Sequence, residues 1–367
     1  MAQRALECPD EHDAHDRIRV FNHALMAKST GGRNDRVRQN RHDPAPPPIL
    51  ATPSGARPGG VSAGAMPGRV VRSYGAFFDV RLHDDQARVL LSTVRGALKR
   101  ERRGTDLVAV GDLVWVSDVG EGEGRIEFIE PRVRSLARLA RHSLDVEQVV
   151  LANPDQALFL FAIRNPEPHR RLLDRFLIMA ESRGLPALIG INKVDLIESL
   201  DEAQAFAQDY EPLYPLVFLS AKTGRGLADL AARLEGKMTA IAGPSGVGKS
   251  SLLNLMKPEA RINIGEISTA TGKGRHTTTG SQLYELAPGT FVADTPGIRA
   301  LALQGIPLDQ LDQCFPEFRP FLESCRYLDC AHLNEPGCAV IAAIETGAVS
   351  RARYDSYASL RRGEIEE

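Results

Sequence analysis

The sequence lacks any apolar run of the roughly 18 residues that a membrane-spanning helix needs, so we expect no membrane partner. Its first residues are polar and carry no apolar segment of the secretory type, and export is therefore not expected. Charge of one sign is not in excess either, because the formal net charge is −2. Any contact with nucleic acid must then come from local basic patches. The remaining composition, 43% hydrophobic and 25% charged, is that of a soluble protein.

Cysteine is also scarce, with five residues in a chain of 367. The count is odd, and three of the five fall between positions 325 and 338. This distribution argues against a disulfide framework and for a metal site in a reducing compartment. We therefore expect a cytoplasmic protein. The length suggests two or three domains and is sufficient to bury a core.

Residues 1–65 have no sustained apolar periodicity and are rich in proline, glycine and arginine, which predicts a disordered tail. Between positions 26 and 42, five basic side chains stand against the single acid Asp35. Two interpretations of this tail stay open. It is either a solvated segment or a flexible arm that lies on polyanionic RNA.

Residues 66–140 change to short apolar alternations separated by glycine-rich turns. Five such segments predict the strands of a small OB-fold β-barrel: 68–71, 76–80, 87–91, 112–116 and 124–129. One connection is strongly basic and contains Arg95, Lys99, Arg100, Arg102 and Arg103. Basic loops of this kind are typical of OB domains that bind nucleic acid, although they can also serve solubility alone. We predict an RNA-binding domain here.

Residues 141–302 have the pattern of an α/β domain. Short apolar runs predict buried parallel strands at 157–163, 187–191, 216–219, 238–242 and 290–293. Helices are predicted between them, at roughly 169–183, 201–209, 226–235 and 249–257. The motifs described next follow the carboxyl ends of these strands, where open parallel sheets bind ligands.

The segment Gly243-Pro244-Ser245-Gly246-Val247-Gly248-Lys249-Ser250 has the form of a phosphate-binding loop. It follows a predicted strand and opens a predicted helix, so main-chain N–H groups and the helix dipole can converge on phosphate oxygens. We expect Lys249 to reach the β- and γ-phosphates in a catalytic role and Ser250 to ligate Mg²⁺. Ser251 completes the predicted nucleotide-contacting set. A coincidental match is the alternative, and the strand–loop–helix setting disfavours it.

Two further motifs predict that the bound base is guanine. Asn192-Lys193-Val194-Asp195 looks like the guanine-specificity element of Ras-like GTPases. The Asp195 carboxylate would accept hydrogen bonds from N1–H and the exocyclic amine of guanine, a donor pair that adenine does not present. Ser220-Ala221-Lys222 resembles the supporting base loop, in which the Ala221 amide faces the guanine oxygen. Each motif is weak alone; together they predict GTP and GDP as ligands.

Asp294-Thr295-Pro296-Gly297 resembles the third GTPase motif, in which the aspartate binds Mg²⁺ and the glycine amide meets the γ-phosphate. The next residue is Ile298, where Ras-like proteins place the glutamine that orients water. An aliphatic side chain cannot orient water. Either hydrolysis is intrinsically slow or another polar group supplies the contact.

The expected first switch loop, Gly274 to Thr279, offers that polar group. His276 is our candidate catalytic residue, and the alternative is an exposed histidine without a catalytic role. One threonine of this loop is expected to reach Mg²⁺ in the GTP state. Thr278 is assigned that role, with Thr277 and Thr279 as the alternatives.

Residues 303–367 are irregular up to a cluster with the spacing Cys-x4-Cys-x-His-x5-Cys, formed by Cys325, Cys330, His332 and Cys338. Three thiolates and one imidazole make a closed tetrahedral Zn²⁺ shell with no vacant position for catalysis. We therefore predict one structural zinc ion in a small α-rich domain. Helices are predicted after the cluster, at 338–346 and about 350–362.

The order of these motifs is unusual, because the guanine elements precede the phosphate loop and the Asp294 motif follows it. In a Ras-like domain the phosphate loop comes first, so this order predicts a circularly permuted GTPase domain. With the OB-like domain before it and the Cys/His cluster after it, the chain resembles the small-ribosomal-subunit-dependent GTPase A family, RsgA. The long proline-rich tail departs from the family pattern.

The resemblance implies GTP hydrolysis stimulated by the small ribosomal subunit, with a role in late maturation of that particle. It also implies that the barrel and the zinc domain contact ribosomal RNA and that hydrolysis is coupled to release. A monomer is the simplest expectation. Because only a short connection joins Asp294 to the zinc domain, we further hypothesise that the nucleotide state repositions that domain.

Two other functions stay open at this point. The chain could be a nucleotide-gated RNA-binding module with negligible turnover, which Ile298 suggests. It could also be a metal-handling GTPase switch whose Cys/His cluster loads or delivers Zn²⁺. The closed four-ligand shell and the absence of a histidine-rich run disfavour this last interpretation.

Overall fold

The computed structural model describes residues 57–83, 88–96, 107–140, 143–257, 282–294 and 308–364. Most of the predicted tail, residues 1–56, lies outside these ranges. So do the predicted switch residues of the 274–279 loop, including His276 and Thr278, and the glycine of the third motif, Gly297. Of the basic barrel connection, only Arg95 is described, and its side chain is exposed.

The first five strands form a closed barrel, which confirms the predicted OB-like fold. They are β1 (Met66–Tyr74), β2 (Phe77–Leu82), β3 (Val89–Val94), β4 (Leu113–Gly120) and β5 (Glu123–Ile129). Closure follows the order β1-β2-β3-β5-β4 with a return pairing of β4 on β1. Alternate side chains point inward because successive residues of a strand face opposite sides. Val70, Val80, Leu90, Val116 and Ile126 fill the interior.

Residues just before β1 also belong to this folded unit, although the sequence assigns positions up to 65 to the tail. The main-chain N–H of Ser62 donates to Glu127 Oε2 at 2.7 Å. Val61 and Ala65 pack against the Trp115 ring. The folded barrel domain therefore includes Val61, Ser62 and Ala65, which precede β1.

A two-stranded hairpin, β6 (Ser135–Ala140) and β7 (Ser143–Ala152), joins the barrel to the nucleotide domain. The sequence does not predict it, and it spans the predicted boundary between residues 140 and 141. Leu136 and Leu151 of the hairpin are buried in the core of the following domain. The hairpin thus packs as part of that domain rather than as a linker.

The nucleotide domain is a six-stranded sheet of mostly parallel strands between two layers of helices. Its strands are β8 (Gln156–Ala162), β9 (Ala187–Asn192), β10 (Leu216–Phe218), β11 (Met238–Ala242), β12 (Gln282–Ala287) and β13 (Thr290–Asp294). The spatial order is β10-β9-β8-β11-β13-β12, and β12 runs antiparallel to β13. All five predicted parallel strands are present, and β12 is the strand that the sequence pattern does not reveal.

Four described helices cover this sheet: α1 (Arg170–Glu181), α2 (Asp201–Ala207), α3 (Leu227–Leu234) and α4 (Lys249–Met256). All residues of β8, β9 and β11 are buried because both faces of the sheet are covered. Two apolar cores result, one on each face. No described helix is both long and apolar enough to cross a membrane.

The C-terminal residues form a small helical domain that packs on α1. It contains 3₁₀ turns at Leu308–Gln310 and Asp312–Cys314, followed by α5 (Arg319–Leu322), α6 (Ala339–Glu345) and α7 (Arg351–Arg361). Its core holds stacked Phe315 and Phe318 rings, with centroids 5.0 Å apart. Ile178 of α1 inserts into the same core.

A buried ionic cluster fastens this domain to α1. The guanidinium of Arg353, only 1% exposed, donates to Asp174 Oδ1 at 2.5 Å and to Glu317 Oε1 at 2.7 Å. Burial alone would lower the pKa of Arg353, but the two carboxylates raise it well above its ordinary value. The contact holds the C-terminal domain against α1 in this structure, and the repositioning of that domain by the nucleotide state stays a prediction.

Candidate nucleotide site and metal centre

The predicted phosphate loop lies between β11 and α4. At two of its glycines, Gly243 and Gly248, any larger residue would clash with neighbouring atoms. A Cβ on Gly243 would lie 2.0 Å from the main-chain oxygen of Leu160. Gly248 has φ 97° and a Cβ there would lie 2.5 Å from Asn192 Nδ2. Only glycine adopts this backbone without strain. The loop can therefore approach the neighbouring strands closely, and its N–H groups stay at the start of α4.

Lys249 lies across the mouth of the loop. Its Nζ donates to the main-chain oxygens of Gly243 at 2.8 Å and Pro244 at 2.6 Å. Ser250 is half-buried in the first turn of α4, while Ser245 and Ser251 are exposed. An ammonium group and a hydroxyl at a helix N-terminus are the groups that bind phosphate oxygens and a divalent cation.

Asn192 joins the three motifs that the sequence predicts to meet. The side chain is 1% exposed, and its Nδ2 donates to the Val247 main-chain oxygen at 2.8 Å. Its Oδ1 accepts from the Ala221 main-chain N–H at 3.1 Å. The guanine element, the base loop and the phosphate loop are therefore held together by one amide. The sequence assigns Asn192 to the base and gives no signal of this bridging contact.

The Asp195 carboxylate is oriented by the base loop. Ser220, which is fully buried, donates its hydroxyl to Asp195 Oδ1 at 2.6 Å and accepts from the Thr223 N–H at 3.1 Å. A carboxylate has about four lone-pair positions, so Asp195 retains acceptor capacity after this bond. An oriented, half-buried carboxylate is suited to a pair of adjacent N–H donors.

The two lysines of the guanine motifs have different surroundings. Lys193 has a left-handed backbone with φ 64°, and its Nζ donates to the Asn165 main-chain oxygen. This bond draws the loop after β8 toward the site, where Pro166 lies close to Gly246. Val194 is buried and Lys222 is exposed.

Asp294 is the last residue of β13. Its Cα is paired with Ile241 of β11, two residues before the phosphate loop begins. The backbone thus brings the third predicted motif to the same edge of the sheet as the phosphate loop. The side chain of Asp294 lies outside the described part of the structure.

The four predicted zinc ligands converge in the C-terminal domain. The donor atoms of Cys325, Cys330, His332 and Cys338 all lie within 4.8 Å of one another. His332 Nδ1 is 3.5 Å from Cys325 Sγ and 3.4 Å from Cys338 Sγ. Tetrahedral Zn²⁺ with Zn–S bonds of about 2.3 Å places its sulfur ligands roughly 3.8 Å apart. The donor set and its spacing therefore fit Zn²⁺.

Residues outside the ligand set hold the cluster in place. Asp312 Oδ2 lies 3.5 Å from His332 Nε2, the ring nitrogen that faces away from the sulfurs. This is the carboxylate–histidine arrangement that orients zinc ligands. Tyr354 and Tyr357 donate to the main-chain oxygens of His332 and Ala331, each at 2.9 Å. The sequence spacing does not reveal these contacts.

The Glu335 carboxylate supports the same turn by accepting three main-chain N–H groups. They belong to Ala331, Leu333 and Asn334, at 3.0, 2.9 and 3.0 Å. Burial alone would raise the pKa of Glu335, but hydrogen bonds to its charged form, from its own main-chain N–H and from these three, lower it to about 2. The backbone between the second and fourth ligands is thus held by an ionised side chain.

The sheet order and the motif positions define the class of protein. The strands that carry the guanine motifs, β9 and β10, precede β11 and its phosphate loop in the chain, and in the sheet they lie on one side of β11, with β8 between β9 and β11. This is a GTPase domain in circularly permuted order. The flanking barrel and Cys/His domain complete a three-part architecture.

Comparisons with known proteins identify the family. The sequence model of the RsgA GTPase family matches residues 129–304. The small ribosomal subunit biogenesis GTPase RsgA of Gemmatimonas aurantiaca is 45% identical over 296 residues, which cover 80% of this chain and 96% of that protein. The protein of the same name from Moorella thermoacetica is 40% identical over 293 residues, with 80% and 95% coverage. The chain belongs to the RsgA GTPase family, and it is therefore a GTP hydrolase.

Solved structures agree with this membership. YjeQ from Thermotoga maritima superposes with a TM-score of 0.69 at 31% identity and covers 83% of this chain and 99% of its own. YloQ, described as a circularly permuted GTPase, gives a TM-score of 0.66 at 31% identity, with 84% and 98% coverage. The permuted fold predicted from the motif order is confirmed.

Proposed function

We propose that this protein hydrolyses GTP when it is bound to the small ribosomal subunit and acts in late maturation of that particle. The observation that carries the proposal is the Asn192 bridge, which holds the Val247 and Ala221 main chains within one site. A phosphate loop and a base loop fixed to each other form a preorganised nucleotide pocket. The names of the relatives from Gemmatimonas aurantiaca and Moorella thermoacetica support the small subunit as the partner.

In this proposal each motif contacts a different part of the nucleotide. Asp195 accepts the two N–H groups of guanine, and Ala221 N–H faces the guanine oxygen. Lys249 contacts the β- and γ-phosphates, while Ser250 and Asp294 hold Mg²⁺. When bound, Mg²⁺ neutralises charge on the phosphate oxygens. The remaining predicted contacts with the nucleotide are Asn192, Lys193, Val194, Ser220, Lys222, Gly243, Pro244, Ser245, Gly246, Val247, Gly248, Ser251 and Gly297.

Water activation is assigned to the first switch loop. Because Ile298 replaces the glutamine of Ras-like proteins, His276 is the proposed group that orients the attacking water. Thr278 is the proposed switch ligand of Mg²⁺. Placement of the His276 side chain by the ribosomal subunit would explain why hydrolysis needs a partner.

The Cys/His cluster is proposed to hold one structural Zn²⁺ ion. Four protein ligands leave no open coordination position. The contact of Asp312 with His332 and the tyrosine bonds to the intervening turn are what a fixed site needs. These features favour a structural role over delivery of the metal.

The barrel is proposed to contact ribosomal RNA. Its exposed surface carries Tyr74 and Phe77, which are 43% and 49% exposed, with the Arg72 guanidinium over the Tyr74 ring, and Arg125 of β5 is also exposed. Aromatic and basic side chains together bind unpaired bases and the phosphate backbone. We further propose that the protein acts as a cytoplasmic monomer.

Steady-state GTP turnover with and without purified small subunits tests the proposal. We expect turnover to rise at least about tenfold with small subunits, a barrier reduction of about 1.4 kcal/mol. Large subunits serve as the matched particle control, and the variant Lys249→Ala should be inactive in both conditions. An unchanged rate with small subunits would contradict the proposal. It would favour the nucleotide-gated RNA-binding module with negligible turnover.

A further inference from the structure

The barrel and the nucleotide domain share one continuous sheet of 11 strands. The junction is the antiparallel pairing of β1 with β12, where Arg72 is the Cα partner of Gln282. Gln282 is in turn the partner of Asp294, and Asp294 is the partner of Ile241. Neighbouring strands lie about 4.8 Å apart, so two spacings, about 10 Å, separate the barrel from the residue at the proposed magnesium site. Main-chain hydrogen bonds run along this whole path.

Side chains reinforce the junction at two other points. Arg81 of β2 forms an ion pair with Glu285 of β12, and the two side chains are 32% and 16% exposed. Arg69 of β1 places its guanidinium carbon 5.5 Å from the ring centroid of Phe291 in β13. Both strands of the β12–β13 hairpin are therefore attached to the barrel. A shift of β1 or β2 would carry the hairpin with it.

The strand at the junction also carries exposed barrel surface. The Arg72 guanidinium carbon lies 4.8 Å from the Tyr74 ring centroid, and Tyr74 pairs across the turn with exposed Phe77. This is part of the aromatic and basic surface proposed above to contact RNA. A ligand on this surface would therefore contact β1 at Arg72, the residue that pairs with β12, or at Tyr74, two residues further along the strand.

We infer that Arg81 and Glu285 are positioning residues that couple contact at the barrel to the geometry of the Asp294 end of β13. Docking of the barrel on the small subunit would fix the positions of β1 and β2. Because β12 is attached to both strands, the β12–β13 hairpin would be fixed as well, and with it the position of the Asp294 backbone beside the phosphate loop. The inference rests on the proposed function and names the strands through which the small subunit would stimulate GTP hydrolysis. Neither residue contacts the nucleotide motifs among the described side-chain interactions, so both are separable from the chemistry.

Three variants of the full-length protein test this coupling. Arg81→Glu and Glu285→Arg each replace the ion pair by two like charges. The double variant R81E/E285R restores an opposite-charge pair with its sign reversed. We expect each single change to lower turnover at saturating small subunits about tenfold, which is within the range for residues in direct contact. Turnover without subunits and GTP affinity should stay within about twofold of the unaltered protein.

The matched control is Arg88→Glu. Arg88 pairs with Asp118 at 3.0 Å on the surface of the barrel, where its side chain is 40% exposed, and Arg88→Glu changes the barrel charge by the same amount as Arg81→Glu. That pair does not reach β12. We therefore expect R88E to keep the maximal stimulated rate of the unaltered protein. If R81E and R88E both bind the subunit more weakly, that shared loss of affinity measures the lost attraction to RNA.

If the coupling is correct, R81E/E285R recovers most of the stimulated rate. The melting temperatures of all variants should stay close to that of the unaltered protein, which shows that each variant is folded. Full stimulation in both single variants would overturn the inference. Failure of the folded double variant to recover the rate would also overturn it, because a pair effect must depend on both partners. Absence of stimulation in the unaltered protein would instead refute the proposed function itself.

Discussion

Asn192 illustrates at the scale of single residues what the sequence can and cannot predict. The motif Asn192 to Asp195 predicts a guanine site because the spacing is specific. It does not predict that the Asn192 amide holds Val247 and Ala221, which lie 55 and 29 positions away in the chain. Those partners depend on the sheet order, which no local pattern contains. The sequence therefore suffices to name candidate site residues, whereas their mutual contacts require the structure.

A second residue-scale observation concerns Asp195, because its orientation by Ser220 makes nucleotide selection testable. In Asp195→Asn the side chain no longer accepts both N–H groups of guanine, so GTP affinity should fall about 5-fold to 150-fold, for a loss of about 1–3 kcal/mol. Xanthosine triphosphate has an oxygen in place of the exocyclic amine and should bind the variant better than GTP. Isothermal titration calorimetry with GTP, ATP and xanthosine triphosphate measures all three affinities.

The control for this experiment is Asp201→Asn, the same chemical change at an exposed position in the first turn of α2. It should leave every nucleotide affinity unchanged. A D195N protein that still prefers GTP over ATP as strongly as the unaltered chain would show that the carboxylate does not select the base.

At the scale of elements, prediction succeeded where a strand or helix has a strong burial pattern. Strand β11 was predicted at 238–242 and occupies those residues, because all five of its side chains are buried. Strand β12 was missed, since only Leu283 of its six residues is buried and no apolar run marks it. The β6–β7 hairpin was missed because its alternation is interrupted by two register shifts.

The packing of α7 on α1 is also an element-scale feature that depends on one buried cation. Arg353→Ala would leave Asp174 and Glu317 buried without their guanidinium, and we expect a loss of about 3–5 kcal/mol in stability. Arg351→Ala is the control on the same helix, because Arg351 is 73% exposed and its pair with Asp355 should contribute at most about 1 kcal/mol. Differential scanning calorimetry should show a clearly lower transition temperature for R353A alone. Equal shifts for both variants would contradict the account of this contact.

At the scale of the whole molecule, the two flanking domains are attached to the nucleotide domain in different ways. The C-terminal domain is fastened to α1 by apolar packing and the Arg353 cluster, which favours movement as one body with the nucleotide domain. The barrel instead joins the sheet through β12, which leads to Asp294 by way of β13. The barrel is therefore the domain whose position is most directly linked to the nucleotide site.

Linkage between two sites is reciprocal in free energy. If docking of the barrel on the small subunit changes the affinity of the site around Asp294 for GTP relative to GDP, then exchange of GTP for GDP must change the affinity for the small subunit by the same factor. Such a change in affinity would couple GTP hydrolysis to release from the particle. It follows from the shared sheet and does not need a swing of the C-terminal domain.

The most direct measurement is the equilibrium affinity of the full-length protein for purified small subunits, determined with a non-hydrolysable GTP analogue and with GDP at the same salt concentration. The account predicts binding at least about tenfold tighter with the GTP analogue, a coupling free energy of about 1.4 kcal/mol. Equal affinity in the two nucleotide states would contradict it.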